Sequence, residues 1–308
     1  MMPDEGKDDD RLRTIHNELS SKPAAQRKSE RSPWLPLESN PDIFTSFARR
    51  IACLPPEWKF ADVLMLDDET LASIPRPVAA VILLFPTTDR IYEARAREKQ
   101  KLLHDMKIGC VSPAAKKAFH LEQVSSFGNA CGTIAAVHAL TNAGLIDSQA
   151  DMDNTVSGVR IDDGPNISGP IAAFHNSTKD LATPRERGTA LVSSGVLHNI
   201  SDEAASDSSA QTECPSRGDT RLGHHYCAFV SIEIDEEGAA STGSNGSRKS
   251  VHLVELDGTK VSPVDHGPIV NGMDLLQATG SVVKERWMAL EPNRIDFSLM
   301  ALARSGSE

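Results

Sequence analysis

The sequence predicts a single α/β (α+β) domain with a central, mostly antiparallel sheet flanked by helices. Three observations support this class: an amphipathic helical pattern from Asn40 to Ala52, an unbroken apolar run from Pro77 to Phe85, and two strand-like segments, 225–232 and 251–258, around a polar tip. Helical and strand patterns are interspersed along the chain, without an internal repeat. A chain of 308 residues is long enough to bury a substantial core.

The helix at the start of the domain has clear end signals. Asn40 is a candidate N-cap, and Pro41 follows at the first helical position. Apolar side chains then recur at helical spacing, and these are Phe44, Phe47, Ala48 and Ile51. The pattern predicts one buried stripe along this helix.

Further elements are predicted between this helix and residue 124. The segment 77–85, "PVAAVILLF", is typical of a strand buried on both faces, and 58–66 is another short apolar run. A short acidic helix or turn is expected at 67–75. A charged helix at 91–106 follows, and "FHLEQV" at 119–124 is a possible strand.

The second half of the chain alternates polar stretches with regular elements. Residues 147–168 are interpreted as a surface insertion, and "TPRERG" predicts a helix with a capping box between Thr183 and Glu186. Residues 201–221 have no periodicity and are predicted to form a long mobile loop.

The predicted hairpin of 225–232 and 251–258 is followed by two more elements. A helix is expected at 273–290 and a terminal strand at "RIDFSLMALA", where apolar residues alternate. The alternating residues are Ile295, Phe297 and Leu299.

Composition limits the environment and the partners. Residues 1–32 carry almost no large apolar side chains and are predicted to be a disordered extension, with the folded domain at 33–304 and a short tail at 305–308. A net charge of −11 disfavours nucleic-acid binding and suits a basic partner. No apolar run reaches the roughly 20 residues of a membrane span, and the charged N-terminus does not resemble a signal peptide. We therefore expect a soluble monomer with no membrane partner.

The cysteines indicate a reducing compartment. Their number, five, is odd, and they have neither a regular spacing nor a CxxC pair, which argues against a disulfide framework and structural zinc. We expect the cytoplasm, with entry into the nucleus left open.

One cysteine has the sequence context of a nucleophile. In "GNACGTIAAVHAL" (128–140), Cys131 lies at the start of an apolar helix for which Asn129 is a candidate N-cap. Unpaired backbone N–H groups and the helix dipole would stabilise a thiolate there and lower its pKa. The alternative is that Cys131 is a small buried apolar residue, as most free cysteines are.

A general base for this cysteine must come from elsewhere in the chain. His138 is seven residues further along the same helix, roughly 10 Å away along its axis, and is interpreted as structural. In the predicted hairpin, pairing Ile232 with Ser250 places His225 directly opposite Asp257, close enough for a carboxylate to hold the imidazole. Cysteine, histidine and aspartate are the parts of a hydrolase triad. A structural cross-strand pair is the alternative.

Several segments, in order, resemble the ubiquitin carboxyl-terminal hydrolases, which are papain-like cysteine deubiquitinases. The likeness extends from Trp34 to the C-terminus. It rests on "WLPLESNP", "IPRPVAAVILLFP", "GNACGTIA" and "ELDG". It implies a papain-like fold in which Cys131 is the nucleophile, His225 the general base and Asp257 the residue that orients it.

The resemblance also implies an oxyanion donor and a loop over the active site. Gln123 is the expected donor, but "QVSSFGNAC" has two residues more than the family pattern, which we assign to Ser125 and Ser126. If these two bulge outward, Gln123 keeps its place. The segment "SDEAASDSSAQTECPSR" resembles the crossover loop that spans the active site in this family.

The expected function is therefore thiol-dependent hydrolysis at the C-terminal glycine of ubiquitin, with a preference for small or flexible leaving groups and no cofactor. One alternative is a ubiquitin-binding protein with weak or absent catalysis. Another is a hydrolase for a ubiquitin-like modifier.

Overall fold

A computed structural model describes residues 33–143, 145–146, 166–208, 210–216, 219, 222–236, 248–270 and 272–305. The predicted disordered extension at 1–32 lies outside the described residues, as do most of the insertion at 147–168 and the end of the tail. Within the described residues, no helix is both long and apolar enough to cross a membrane.

The helices and strands of the described residues are interspersed along the chain. The α-helices are α1 (Pro41–Ala52), α2 (Asp68–Ser73), α3 (Asp89–Lys107), α4 (Pro113–Lys117), α5 (Cys131–Ala143), α6 (Gly169–Thr178), α7 (Pro184–Ser193), α8 (Gly195–Ala205) and α9 (Leu275–Val283). The strands are β1 (Trp58–Asp62), β2 (Val78–Pro86), β3 (Leu145–Ile146), β4 (Asn166–Ile167), β5 (His224–Glu236), β6 (Arg248–Leu256), β7 (Val264–Pro268) and β8 (Ser298–Arg304). A 3₁₀ turn covers Ser125–Phe127, and a π-helical turn, Lys284–Met288, extends α9.

Six strands form the central sheet, which is antiparallel in every pairing and has the order β1-β8-β2-β5-β6-β7. The predicted mostly antiparallel sheet is therefore confirmed. β3 and β4 form a separate two-stranded parallel pair.

Each face of the sheet is covered by helices, and the side chains alternate between two cores. Ile82 of β2 packs with α1, α5, α6 and α8, whereas its neighbours Val81 and Leu83 pack with α2, α3 and α9. Because β2 contacts a core on both faces, its unbroken apolar sequence is explained as predicted.

The predicted start of α1 is confirmed. The Asn40 side chain accepts from the backbone N–H of Asp42 at 2.9 Å, and Pro41 is the first helical residue. The capping box of α7 is also present, since the Glu186 N–H donates to Thr183 Oγ1 and the Thr183 N–H donates to Glu186 Oε2.

The possible strand at 119–124 is wrong. This segment joins no sheet, because backbone N–H groups along it are taken by groups outside any strand. Leu121 donates to the His138 ring, and Gln123 donates to the carbonyl of Gly258. A sequence pattern cannot distinguish such side-chain and loop partners from a neighbouring strand.

Three other expectations need correction. Residues 201–205, predicted to begin a mobile loop, are the last turn of α8, where Ser201, Ala204 and Ala205 are buried. Ile295 is 96% exposed and precedes β8 rather than pointing into the core. The predicted helix at 273–290 is shorter as an α-helix, because its second half is the π-helical turn.

The hairpin is present, but its assumed register is wrong by two residues. Ile232 pairs with His252, and Ala228 pairs with Leu256. β5 continues to Glu236 and β6 begins at Arg248, so the strands pair further into the predicted tip than the sequence suggested. An even shift leaves every side chain on the same face, which is why His225 and Asp257 still meet.

Candidate active site

Cys131 is the first residue of α5. Ala130, and not the expected Asn129, is the residue before the helix, and its carbonyl accepts from the Ile134 N–H at 2.8 Å. The Asn129 side chain instead donates to the carbonyl of Asp219 at 2.8 Å. Cys131 therefore lies where backbone N–H groups of the helix remain free of intrahelical partners.

The surroundings of Cys131 favour its thiolate. Burial on its own raises the pKa of the thiol, but a hydrogen bond and the charge of His225, with the backbone N–H groups of Tyr226 and Gly132, outweigh burial and lower the pKa. This cysteine differs from Cys227, whose thiol pKa is raised by burial in the core and by nearby carboxylates. Of the two, only Cys131 has the electrostatics of a nucleophile.

His225 lies between the thiol and a carboxylate. Its Nε2 donates to Asp257 Oδ1 at 2.8 Å, and the same ring is hydrogen-bonded to Cys131. Burial lowers the pKa of His225, but the charge and hydrogen bond of Asp257 outweigh it and raise the pKa to about 9. The imidazole is therefore protonated at neutral pH, opposite a cysteine whose thiolate is favoured.

Asp257 is held at both carboxylate oxygens. Its side chain is 1% exposed. Oδ1 accepts from His225 and from the backbone N–H and hydroxyl of Thr259 at 2.9 and 2.8 Å. Oδ2 accepts from Arg95 Nη2 at 2.6 Å. Burial opposes ionisation, but Arg95 and His225 outweigh it and hold the pKa of Asp257 well below its ordinary value.

Gln123 approaches the same site from the segment before α5. Its backbone N–H donates to Gly258, next to Asp257, and its side-chain Nε2 donates to the Gly128 carbonyl at 3.1 Å. A primary amide has two N–H groups, so one donor remains for another acceptor. The role of Gln123 as oxyanion donor stays a prediction.

The two extra residues before the nucleophile form an outward turn. Ser125 and Ser126 are exposed in the 3₁₀ turn, while Phe127 is fully buried against Trp34 at 5.5 Å between ring centroids. The backbone N–H of Trp34 also donates to the Phe127 carbonyl at 2.8 Å. The turn is thus anchored by Phe127 and extends away from the core.

The described part of the predicted loop at 201–221 contacts two other parts of the molecule. Asp219 accepts from Asn129, two residues before the nucleophile. Further back, the Gln211 N–H and the Thr212 hydroxyl each donate to the carboxylate of Glu38 at 3.0 Å. The segment is therefore tied both to the N-terminal part of the domain and to the approach to α5.

Three other histidines near the site have structural partners. His138 is fully buried, accepts from the Leu121 N–H at 3.1 Å and stacks on His120 at 5.1 Å, in agreement with its interpretation as structural. His120 Nε2 donates to the backbone carbonyl of Asp257 at 3.0 Å. His224 instead contacts Asp296, at 3.0 Å.

The structure thus brings Cys131, His225 and Asp257 together, and it adds Arg95, which sequence reasoning did not identify. Arg95 belongs to the charged helix α3 and is one of several cations there. Nothing in its local pattern distinguishes it from the others, since its contact with Asp257 spans 162 positions of sequence.

Comparison with known proteins gives the family. A model of the family described as ubiquitin carboxyl-terminal hydrolase, family 1, matches residues 34–288. The chain belongs to this family. It is accordingly a cysteine-type ubiquitin carboxyl-terminal hydrolase.

Relatives match the hydrolase over nearly their whole length. A ubiquitin carboxyl-terminal hydrolase of Drosophila melanogaster is 31% identical over 269 residues, covering 87% of this chain and 96% of the relative. Ubiquitin carboxyl-terminal hydrolase 3 of Arabidopsis thaliana is 28% identical over 280 residues, covering 91% and 98%.

The fold is similar to that of a solved structure, the UCH37 catalytic domain of Trichinella spiralis bound to ubiquitin vinyl methyl ester. The TM-score is 0.57 at 17% identity, and the match covers 91% of this chain and 99% of that one. The expected papain-like hydrolase fold is thereby confirmed.

The described residues contain no group of three or more His, Cys, Asp or Glu side chains that could hold a metal ion.

Proposed function

We propose that the hydrolase cleaves the bond after the C-terminal glycine of ubiquitin with Cys131 as nucleophile, His225 as general acid and base, and Asp257 as the orienting residue. The observation that carries this assignment is the continuous hydrogen-bonded chain from the Cys131 thiol through the His225 ring to Asp257 Oδ1. A thiolate beside an imidazolium is the reactive form of a cysteine hydrolase.

The proposed reaction proceeds in two steps. The Cys131 thiolate attacks the glycine carbonyl, and the developing oxyanion accepts from the backbone N–H of Cys131 and from the free N–H of Gln123. His225 gives its proton to the leaving amine, and the acyl-enzyme forms. His225, now neutral, then takes a proton from the water that releases ubiquitin, and the thiolate–imidazolium pair is restored.

Ubiquitin as substrate is supported by the family and by charge. The Trichinella neighbour is bound to a ubiquitin derivative. This chain has a net charge of −11, and an acidic surface attracts a basic C-terminal tail.

A preference for small or flexible leaving groups is proposed from the loop that includes 210–216 and Asp219. Its contact with Asn129 restricts the space over the start of α5. A substrate must then reach Cys131 as an extended chain, and a folded protein on the leaving side would collide with the loop.

We also propose that the hydrolase acts as a monomer and that it is located in the cytoplasm and also in the nucleus. We further propose that it binds neither nucleic acid nor membranes. None of the five cysteines forms a disulfide, which suits a reducing compartment, and the net negative charge disfavours nucleic acid. Fractionation of cells and light scattering of the purified protein test these points.

The first experiment is single-turnover hydrolysis of a ubiquitin C-terminal fluorogenic amide by the wild type and by Cys131→Ala. We expect the variant to bind ubiquitin but to lose turnover. Wild-type binding without turnover would instead identify a binding protein. Competition with a ubiquitin-like modifier tests the alternative substrate.

The leaving-group preference needs a separate comparison. The wild type should cleave ubiquitin with a short unstructured peptide at its C-terminus faster than ubiquitin fused to a compact folded domain. Equal rates for the two fusions would contradict the role of the loop without affecting the triad.

A further inference from the structure

We propose that Arg95 is a positioning residue of the catalytic triad, which holds the Asp257 carboxylate and the His225 ring in the orientation that catalysis requires. Arg95 does not reach the reacting atoms. This inference rests on the proposed roles of Cys131, His225 and Asp257, and it adds a member that neither the motifs nor the comparisons assign.

The first argument is that the two carboxylate oxygens of Asp257 have different hydrogen-bond partners. Oδ1 is occupied by His225 and Thr259, and Oδ2 accepts from Arg95 at 2.6 Å. The Arg95 side chain is 19% exposed and that of Asp257 is 1% exposed, so the contact is sheltered from water. Without Arg95, a buried carboxylate oxygen would lose its charged donor, which is costly.

The second argument is a series of contacts that joins Arg95, Phe85 and His225. The guanidinium carbon of Arg95 lies 4.8 Å from the centre of the Phe85 ring. Phe85 in turn meets His225 edge to face at 5.6 Å between ring centroids. Arg95 therefore contacts two side chains that in turn contact His225, namely Asp257 and Phe85, and both contacts restrict the position of the histidine ring.

Apart from Arg95 and His225, the described basic side chains near Asp257 do not reach its carboxylate. The buried ammonium of Lys260 contacts Glu98 and Glu255, and only its backbone N–H donates to the backbone carbonyl of Asp257. His120 also donates to that carbonyl and not to the side chain. Among the described contacts, Arg95 is the partner of Oδ2.

The third argument is the cavity on this side of the histidine. A cavity of about 290 Å³ is lined by Arg95, His225, Thr259 and residues of α3 that include Tyr92. Arg95 contributes to the wall between this space and Asp257. Truncation of its side chain would admit water to Oδ2, and a solvated carboxylate is free to turn away from the imidazole.

Arg95 acts on His225 in two opposite ways, and this makes the proposal testable. Its charge alone lowers the pKa of the imidazole, whereas the Asp257 carboxylate that it holds raises it. If positioning dominates, loss of Arg95 destabilises the imidazolium and the pKa of His225 falls. If only charge matters, the same pKa rises.

The test compares Arg95→Ala, Arg95→Lys and the wild type, with Arg97→Ala as the matched control. Arg97 belongs to the same helix, but it is 70% exposed and contacts Glu93 rather than the triad. Two pH profiles are measured: kcat and KM for a ubiquitin C-terminal amide, and the alkylation rate of Cys131 by iodoacetamide. Because Cys53 and Cys110 are more exposed than Cys131 and would react as well, alkylation is followed on the Cys131 peptide by mass spectrometry.

For Arg95→Ala we expect kcat to fall by about 10- to 100-fold with little change in KM, because a small misplacement of a catalytic group has effects of this size. The basic limb of kcat should move to lower pH, and the onset of Cys131 alkylation should move to higher pH. Arg95→Lys should recover part of the loss, and Arg97→Ala should match the wild type.

Two outcomes would overturn the proposal. A basic limb that moves upward would mean that Arg95 acts only by its charge, and a kcat loss with unchanged pH profiles would mean a general loss of folded enzyme. If Arg95→Ala does not fold, Arg95→Lys must still show the smaller shifts in the same directions. Alkylation needs no ubiquitin, so it tests Arg95 even if the proposed hydrolysis is absent.

Discussion

Asp257 influences the protonation of His225 and, through His225, the reactivity of Cys131. Its Oδ1 fixes the imidazole, and the carboxylate charge is the largest influence that keeps His225 protonated. The imidazolium in turn favours the thiolate of Cys131. The reactivity of the sulfur therefore depends on a carboxylate that it does not touch.

Replacing Asp257 by Asn should move the basic limb of kcat/KM to lower pH. In the wild type this limb is expected near the His225 pKa of about 9, because catalysis is lost as the imidazolium deprotonates. The neutral amide no longer stabilises the imidazolium, and kcat at pH 7.5 should fall by about 10²- to 10⁴-fold.

The matched control is Asp296→Asn. Asp296 contacts the neighbouring His224 at 3.0 Å, outside the triad. A pH–rate profile of the hydrolase measures both changes. If Asp257→Asn left the basic limb near 9, the assignment of that limb to His225 would be wrong.

Replacing Gln123 by Ala should lower kcat by about 10²- to 10³-fold with little effect on KM, since an oxyanion donor acts on the transition state. Stopped-flow kinetics with the ubiquitin amide measure this. Ser125→Ala in the adjacent exposed turn is the control and should retain wild-type rates. A Gln123 variant with normal kcat would show that the donor comes from elsewhere.

The sequence predicted part of the site for physical reasons that can be stated. A cysteine at the start of an apolar helix is a local pattern, and it is enough to identify Cys131 as a candidate nucleophile. His225 and Asp257 were found with a register that was wrong by two residues, because strand parity preserves faces. Arg95 could not be found, because its role depends on how α3 packs against the loop after β6.

At the level of elements, α7 docks closely on the segment that carries Gln123. Gly188 of α7 approaches Glu122 so closely that an added Cβ would lie 2.0 Å from the Glu122 carbonyl oxygen. The Glu122 N–H also donates to the Pro184 carbonyl at 2.9 Å. A glycine inside this helix is therefore required by packing.

Gly188→Ala should destabilise the fold, although alanine is ordinarily the better helix former by about 1 kcal/mol. The clash is with backbone, which must move, and overpacking of this kind costs about 1–3 kcal/mol or more. Urea unfolding measures the free energy of unfolding. Because Gln123 follows Glu122, kcat should fall as well.

The control is Gly223→Ala, where an added Cβ meets no atom within 4 Å. It should change the free energy of unfolding by a few tenths of a kcal/mol only. Equal stability of the Gly188 and Gly223 variants would show that α7 can shift without cost.

Elements with strong local signals were predicted well, and those that depend on distant partners were not. α1 and α7 have caps that can be recognised within a few residues. The segment 119–124 has strand-like residues but no strand beside it. β7 and α8 lie in stretches whose order comes from packing and charge rather than from periodicity.

At the scale of the whole molecule, buried ionisable groups make the free energy of unfolding depend on pH. His120 and His138 are buried and stacked, and burial lowers the pKa of both, to about 4 for His120. Glu255 is buried beside Lys260 and His266, whose influence outweighs burial and lowers its pKa to about 2. As the pH falls, these groups are protonated in the unfolded chain before they are protonated in the folded protein.

The free energy of unfolding should therefore decrease as the pH falls from about 6.5 to 4. Over this range His120 and His138 bind protons in the unfolded chain but not in the fold, and one pKa unit corresponds to about 1.4 kcal/mol. His120 alone should contribute roughly 3 kcal/mol, from its shift to a pKa of about 4. Below pH 4.5 the depressed carboxyl groups add a further loss.

Urea unfolding at pH 7, 6, 5 and 4.5 measures this slope. His120→Gln keeps a side-chain N–H for the Asp257 carbonyl but does not titrate, so its slope should be shallower whatever its stability at pH 7. An unchanged slope would mean that His120 is protonated in the folded state.

The position of β8 also has a consequence for biosynthesis. β8 lies between β1 and β2, yet it is synthesised after every other strand of the sheet. A nascent chain that has reached residue 297 therefore leaves unpaired the edge of β1 and the edge of β2 that β8 will contact. Such edges favour aggregation. The growing chain must be protected until residues 298–304 have left the ribosome and entered the gap.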